Sequence, residues 1–128
     1  MRKDAGVIVE DSNRKLILCN SKFCEIFSIP VEPSKMIGSD CSKSAEFVKH
    51  LFIDGDKFVS DIEEILKKRE VVVGQRINME NGDVLIRDYF PIFSGDDYLG
   101  HSWHYYLYDN KLSKIFLFFS RLKNLHRS

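Results

Sequence analysis

Three long strands joined by two turns are predicted across residues 71–108, and this stretch constrains the fold more than any other. Apolar residues recur with a period of two on both sides of Asn81-Gly82, as in half-buried strands. Asn-Gly predicts a tight primed turn with positive φ at both residues. Residues 94–97 supply the second turn, and Pro91, which lacks an N–H, predicts an edge or a bulge in the middle strand. An antiparallel sheet therefore forms the centre of the predicted fold.

Shorter strands and helical segments are predicted ahead of this sheet. The strands span residues 6–10 and 16–19; the helical segments are one capped by Asn20-Ser21, one turn over residues 33–38, residues 44–52 and a long helix beginning near Asp56. In the third segment the helical spacing predicts burial of Ala45, Phe47, Val48 and Leu51. The predicted order is two strands, four helical segments and three strands.

Residue counts predict one soluble, cytoplasmic domain. With 128 residues, of which 44% are hydrophobic, the chain can bury a small core. Three cysteines, an odd number, do not indicate a disulfide framework and suit a reducing cytoplasm. The longest fully apolar run, residues 115–119, is far shorter than the ~20 residues of a membrane-spanning helix.

The zero net charge hides an uneven distribution. Five of the 19 Lys and Arg residues lie in residues 110–128, which hold no Asp or Glu, so residues 1–109 carry 14 basic residues against 19 acidic ones. Such an acidic body argues against nucleic-acid binding. The basic tail could bind phosphate or an anionic membrane surface. A solvated helix face is the favoured interpretation, and we expect no membrane contact.

The tail has the spacing of a short coiled-coil seam. Its apolar residues alternate at intervals of three and four, which predicts a C-terminal amphipathic linker or dimerisation helix over residues 110–128. The predicted homodimer interface comprises Leu112, Ile115, Phe116, Phe119 and Leu122. Folding of this helix back onto the sheet of the same chain is the alternative.

Several local matches, in the same order, connect the chain to one family. The matching segments are residues 6–11 with 16–20, which read as a hairpin running into an asparagine-led helix, Met36-Ile37-Gly38, Asn81-Gly82, and residues 89–93 followed by 99–103. Over about residues 5–109 the chain resembles a PAS domain of the bacterial sensor histidine kinase type. It departs from the family at Leu107-Tyr108-Asp109, where an Asp-Ile-Thr motif usually closes the last strand.

The resemblance implies an α+β fold, in which helices cover one face of a five-stranded antiparallel sheet and enclose a pocket. It also implies a sensory and signal-transduction module of a larger signalling protein. Such a module would bind a small ligand in the pocket and relay its state through the C-terminal helix to an effector, such as a kinase domain. A ligandless PAS domain that serves dimerisation is the alternative. We expect no catalysis by this chain itself.

Strand parity and aromatic content give four pocket candidates. Gln75 and Asp88 each share parity with apolar neighbours, so both are predicted to line the pocket as its polar anchors. Phe90 and Trp103 are the aromatic candidates. Arg87 takes the other face, and parity alone leaves open which face the helices cover.

A flavin is not expected from the residues present. Gly38-Ser39-Asp40-Cys41 has the spacing of the Gly-x-Asn-Cys motif of the family's light-sensing branch. The Arg-Phe-Leu-Gln that follows in that branch is absent, since residues 42–45 are Ser-Lys-Ser-Ala. The positions of the branch's flavin-binding amides are near Ile77, Arg87 and Ser102.

Haem, metal binding and catalysis are not expected either. Haem would need an axial imidazole on the long helix, which has no histidine. His101 and His104 fall on opposite faces of the last strand because their spacing is odd. The cysteines and histidines have no zinc-ligand spacing. No Ser-His-Asp set, phosphate loop or kinase motif is visible.

Overall fold

Helices cover one face of a five-stranded antiparallel sheet in the computed structural model, which describes residues 4–108. The strands are β1 (Gly6–Asp11), β2 (Leu16–Cys19), β3 (Val72–Asn78), β4 (Val84–Ser94) and β5 (Asp97–Leu107); the helices are α1 (Ser21–Ile26), α2 (Cys41–Val48) and α3 (Gly55–Lys68), with 3-10 turns at Pro33–Met36 and Lys49–Leu51. The strand order is β2-β1-β5-β4-β3. The predicted fold class and element order are confirmed.

The first and last strands pair at the middle of the sheet. Their register runs from Gly6 opposite Tyr105 to Asp11 opposite Gly100. A Cβ atom at Gly100 would lie 2.1 Å from the carbonyl oxygen of Glu10, so only glycine permits this close approach of the two backbones. The pairing brings the first and last of the five strands together, and the candidate site is built on it.

The β3–β4 hairpin forms at Asn81-Gly82 as predicted, but its turn is not the predicted primed turn. Gly82 has φ of +91°, whereas Asn81 is not in the positive-φ region. Backbone hydrogen bonds join Gly82 N to Met79 O at 3.1 Å and Met79 N to Asp83 O at 2.9 Å. The Asn81 side chain accepts from Asp83 N at 2.9 Å, and this local side-chain turn holds the wider loop.

The middle strand, β4, behaves at Pro91 as the sequence predicts. Pairing between β3 and β4 extends no further than Val72 opposite Tyr89, so Pro91 lies beyond the end of β3 and its missing N–H costs no ladder bond there. The β4–β5 register then shifts between Ile92 and Phe93. At Pro91, β4 therefore has no partner strand on the β3 side, and the register with β5 becomes irregular close by, as the sequence predicts.

Side-chain caps set where the helices begin. Asn20 accepts from Phe23 N at 3.0 Å and caps α1 as predicted, while Asp54 caps α3. Asp40 caps α2, so this helix starts at Cys41, three residues earlier than predicted. Capping oxygens satisfy N–H groups that lack a partner within the helix.

The predicted burial of Phe47 is wrong. Its side chain is 78% exposed, because α2 buries the stripe of Cys41, Ala45 and Val48 and Phe47 lies off that stripe. The long helix α3 buries Phe58, Ile62 and Ile65 along one side, as expected for an amphipathic helix.

The core lies between the sheet and the helices. Aromatic side chains fill much of it: the rings of Phe52 and Phe58 stack with centroids 4.1 Å apart, and Phe27 meets Tyr105 edge-on at 4.9 Å. Within residues 4–108, no helix is long and apolar enough to cross a membrane. The predicted helix over residues 110–128, with its proposed dimer interface, lies outside the described residues.

Candidate functional site

A small cavity lies between the sheet and the helices. Its volume is about 50 Å³, room for a few water molecules but less than the ~300 Å³ of a typical ligand pocket. The apolar wall includes Phe27, Val48 and Ile62, and β5 contributes Trp103 and Tyr105. Polar side chains also line the cavity. They include ionised groups, which are rarely buried in a protein core.

Glu10 carries the first of these charges. Its side chain is almost fully buried, as is that of His101, its cross-strand neighbour on β5. Glu10 Oε1 accepts hydrogen bonds from His101 Nε2 at 2.6 Å and from Arg14 Nε at 3.2 Å. Burial alone would raise the pKa of Glu10, but the hydrogen bond from His101 and the charge of Arg14 outweigh it, so the pKa lies below its ordinary value. Glu10 is therefore a carboxylate at neutral pH.

The hydrogen bonds continue from His101 toward the surface. His101 Nδ1 is bonded to the Tyr98 hydroxyl, which lies 3.1 Å from the Tyr89 hydroxyl. Because the carboxylate can only accept, Nε2 of His101 donates to Glu10. The Arg69 guanidinium stacks over the Tyr98 ring at 4.1 Å. Each side chain of this hydrogen-bonded network, from Glu10 to Tyr89, thus has a partner, as buried networks require.

Arg87 carries the second buried charge. It is fully buried on β4, opposite Gln75 on β3 and Tyr105 on β5. Its Nε donates to Gln75 Oε1 at 2.9 Å. Burial raises the pKa of Tyr105, and the charge of Arg87 acts against this rise, so guanidinium and phenol are close neighbours within the core.

The predicted pocket residues divide between the two faces of the sheet. Trp103 is 1% exposed and lines the cavity, and Gln75 turns toward the covered face to meet Arg87. The placement of Asp88 and Phe90 in the pocket is wrong. Asp88 accepts from Gly74 N at 2.8 Å and Phe90 packs against His104, both on the uncovered face. Whether Gln75 or Trp103 contacts a ligand stays a prediction.

Sequence reasoning missed the charged residues of the site, Glu10, Arg14 and Arg87. Parity predicts that Arg87 and Asp88 lie on opposite faces of the sheet, and they do. The helices cover the face that carries Arg87, not the face that carries Asp88. Glu10 shares parity with Ile8 on β1, and this was the available signal that its side chain faces the core.

Comparison with known proteins shows similarity in structure but none in sequence. No protein-family profile matches the chain, and no curated protein does, whereas 165 chains of solved structures match it. The PAS domain of BvgS from Bordetella pertussis has a TM-score of 0.64 and 14% identity, covering 95% of this chain and 89% of that one. The chain has the PAS fold.

Two further structures with this fold are informative. The sensor region of a sensor histidine kinase matches with a TM-score of 0.60 and 11% identity, over 80% of this chain but 38% of that chain. A light-oxygen-voltage domain studied with a flavin analogue matches with a TM-score of 0.56 and 11% identity, over 92% of this chain and 87% of that one. Identities this low establish the PAS fold alone, and the fold does not by itself fix the function.

The cavity of this PAS fold does not fit a flavin. Its volume is about 50 Å³, far below that of a pocket for a three-ring cofactor. Cys41, which stands at the position of the photoactive cysteine motif, is the first residue of α2 and lies in the cavity wall. Of the three residues near the positions of the light-sensing branch's flavin-binding amides, Arg87 donates to Gln75, and Ser102 lies on the opposite face of β5 from His101 and Trp103, which are buried. The absence of a cofactor stays a prediction.

Metal, haem and nucleophilic chemistry gain no support from the arrangement. Residues 4–108 contain no cluster of three or more metal-ligating side chains. The ring nitrogens of His101 are both engaged, with Glu10 and Tyr98. Burial, and then the charge of Glu10, raise the pKa of the Cys41 thiol. A protonated thiol is the opposite of what a nucleophile needs.

Proposed function

We propose that this chain is the sensory module of a larger signalling protein of the sensor histidine kinase type. In this proposal the module binds a small ligand between sheet and helices and passes its state to an effector through residues 110–128. The observation that carries the proposal is the cavity, which is lined mostly by apolar side chains and also by the buried carboxylate of Glu10. Ionised groups are costly in a core of this size, and their presence beside a cavity is typical of a binding site.

The position of β5 supports a relay through the last strand. It carries His101, Trp103 and Tyr105 along the covered face and ends at Leu107, directly ahead of the proposed output segment. A ligand that prefers one arrangement of the cavity wall would therefore bias the strand that leads out of the domain. The bias equals the difference in the ligand's affinity for the two arrangements and cannot exceed it.

A ligandless dimerisation domain is the second candidate, and one observation favours it. At one end of the β4–β5 hairpin, Ile92, Phe93 and Leu99 are 39%, 47% and 51% exposed. Clustered apolar side chains in water are typical of protein contacts. In this alternative the small cavity is only a packing defect, and the apolar surface is the functional feature.

A ligand screen separates the two candidates. The sole tryptophan, Trp103, lines the cavity, so its emission reports on occupancy while small metabolites are added to the purified chain. Ala45→Leu fills the cavity, and Glu46→Leu places the same side chain on the exposed side of α2 as a control. The sensory proposal predicts a response in wild type and Glu46→Leu that is lost in Ala45→Leu. A response that persists in Ala45→Leu would place binding elsewhere, and no response in wild type would favour the ligandless domain.

A further inference from the structure

Arg87 is buried without enough partners for its charge. Its side chain is 0% exposed, and its Nε donates to Gln75 Oε1 at 2.9 Å. The two amino groups, Nη1 and Nη2, are buried and have no hydrogen-bond partner within residues 4–108. A guanidinium carries five N–H donors and cannot lose its proton. The Tyr105 phenol interacts with the Arg87 side chain, but within residues 4–108 no hydrogen bond of ordinary geometry satisfies the four donors of these amino groups.

The guanidinium lies directly behind the cavity wall. Its central carbon is 5.3 Å from the ring centroid of Phe58 and 5.4 Å from that of Trp103, and both rings line the cavity. Tyr105, which lies opposite Arg87 on the neighbouring strand β5, lines the cavity too. Arg87 itself does not line the cavity, so a ligand there can reach its guanidinium only if these rings move aside.

The two buried charges of the site differ in how they are compensated. Glu10 accepts from His101 and from Arg14, so its charge is balanced at its own end of the cavity. It lies on β1, on the other side of β5 from Arg87. Within residues 4–108, no carboxylate is hydrogen-bonded to Arg87. The uncompensated charge next to the cavity is thus positive, and the ligand that would neutralise it is an anion.

We propose that Arg87 is the anion-binding group of the cavity and that the ligand is a small monocarboxylate with a short apolar tail. This inference rests on the sensory function proposed above and names its ligand class. Both amino groups donate to the carboxylate in the two-point geometry that guanidinium and carboxylate share. The tail packs among Phe27, Val48 and Ile62, and the cavity volume of about 50 Å³ limits it to a few carbon atoms. A dicarboxylate is disfavoured because its second charge would meet this apolar wall.

Titration of the purified chain with sodium acetate, butyrate and hexanoate tests this assignment, with Trp103 emission and the thermal unfolding midpoint as readouts. Butyramide has the same shape as butyrate without its charge. Arg87→Met removes the buried guanidinium, and Arg76→Met removes an exposed one from the neighbouring strand, so the two variants have the same net charge. We expect butyrate to bind wild type and Arg76→Met alike. Loss of charged hydrogen bonds should weaken its binding to Arg87→Met by roughly 10- to 100-fold.

Stability of the ligand-free variants gives an independent readout. Replacing an uncompensated buried charge with an apolar side chain of similar length is neutral or stabilising, so the midpoint of Arg87→Met should equal or exceed that of wild type. If Arg87→Met does not fold, Arg87→Lys decides, because lysine keeps the charge and loses the two-point contact. Weaker butyrate binding by Arg87→Lys would then support the proposal, and unchanged binding would overturn it.

Three other results would overturn the inference. Equal binding of butyramide and butyrate, or full butyrate binding by Arg87→Met, would show that the cavity binds a ligand without using Arg87 as an anion site, which leaves the sensory proposal intact. If none of the three acids changes the Trp103 emission or the unfolding midpoint of wild type, water alone satisfies the amino groups of Arg87. In that case the metabolite screen with Ala45→Leu still tests whether the chain is a sensor at all.

Discussion

Glu10 Oε1 and His101 Nε2 lie 2.6 Å apart across the pairing of the first strand with the last. This contact joins residues 91 positions apart in the sequence and anchors one end of the cavity. Because Arg14 also donates to Glu10, the carboxylate is ionised although its side chain is almost fully buried. The contact therefore links the stability of the sheet to the charge of one side chain.

The pH dependence of unfolding should report this carboxylate. The folded pKa of Glu10 lies below its ordinary value of 4.5, so its contribution to the free energy of unfolding is complete above about pH 4.5. It is lost as the pH falls through the folded pKa. Urea unfolding from pH 7 to pH 3 should show this loss in wild type.

Two glutamate variants isolate the effect. Glu10→Gln should lower the free energy of unfolding by about 1–3 kcal/mol at pH 7, since hydrogen bonds to a charged group are lost, and should flatten the acid dependence. Glu64→Gln, at an exposed position of α3, should keep the wild-type profile. An acid dependence in Glu10→Gln as steep as in wild type would assign the effect to other groups.

Gly100 should be far more sensitive to substitution than Gly95. Alanine at residue 100 would place its Cβ 2.1 Å from the Glu10 carbonyl oxygen, whereas residue 95 has open space. We expect Gly100→Ala to cost about 3 kcal/mol through separation of β1 from β5. Gly95→Ala should cost about 1–2 kcal/mol, because its φ of +59° is unfavourable for alanine. Equal unfolding free energies for the two variants would contradict the close approach of the strands.

Much of this architecture could be predicted from the sequence, because strands, helices and caps depend on local patterns. The covered face of the sheet could not. Along β4, Ile86 and Phe90 alternate with Leu85 and Tyr89, so both faces look apolar and parity alone does not choose between them. The choice follows from the β1–β5 pairing, a contact between distant residues that no local pattern contains. For this reason parity predicts Asp88 as a pocket residue with Arg87 on the other face, whereas the structure covers the face that carries Arg87.

Cys41 should resist alkylation in the folded protein. Burial raises the pKa of its thiol, and only the thiolate is reactive. With iodoacetamide at pH 8, we expect Cys41 to be modified at least roughly tenfold more slowly in the folded protein than in urea. Mass spectrometry of the cysteine peptides measures both rates. Cys19 is only partly buried, and burial raises its pKa to about 11, so it should react before Cys41. Equal rates for Cys41 with and without urea would show that the cavity wall is open to solvent.

The tail should determine the oligomeric state. Sedimentation at micromolar concentration should show a dimer for residues 1–128 and a monomer for residues 1–109, because the predicted seam lies in residues 110–128. Ile115→Glu, on the seam, should abolish the dimer, and Lys114→Glu, beside it, should not. Two monomeric chains would refute pairing through the tail, and a dimer of the shorter chain would move the interface to the domain itself.

Native mass spectrometry of the chain purified from cells tests most directly whether the cavity is a ligand site. The sensory account predicts that wild type carries the added mass of one small molecule, released on denaturation. The same molecule should be absent from Ala45→Leu, which fills the cavity, and present in Glu46→Leu, which does not. The account would be contradicted if wild type, like Ala45→Leu, showed only the mass calculated from its sequence.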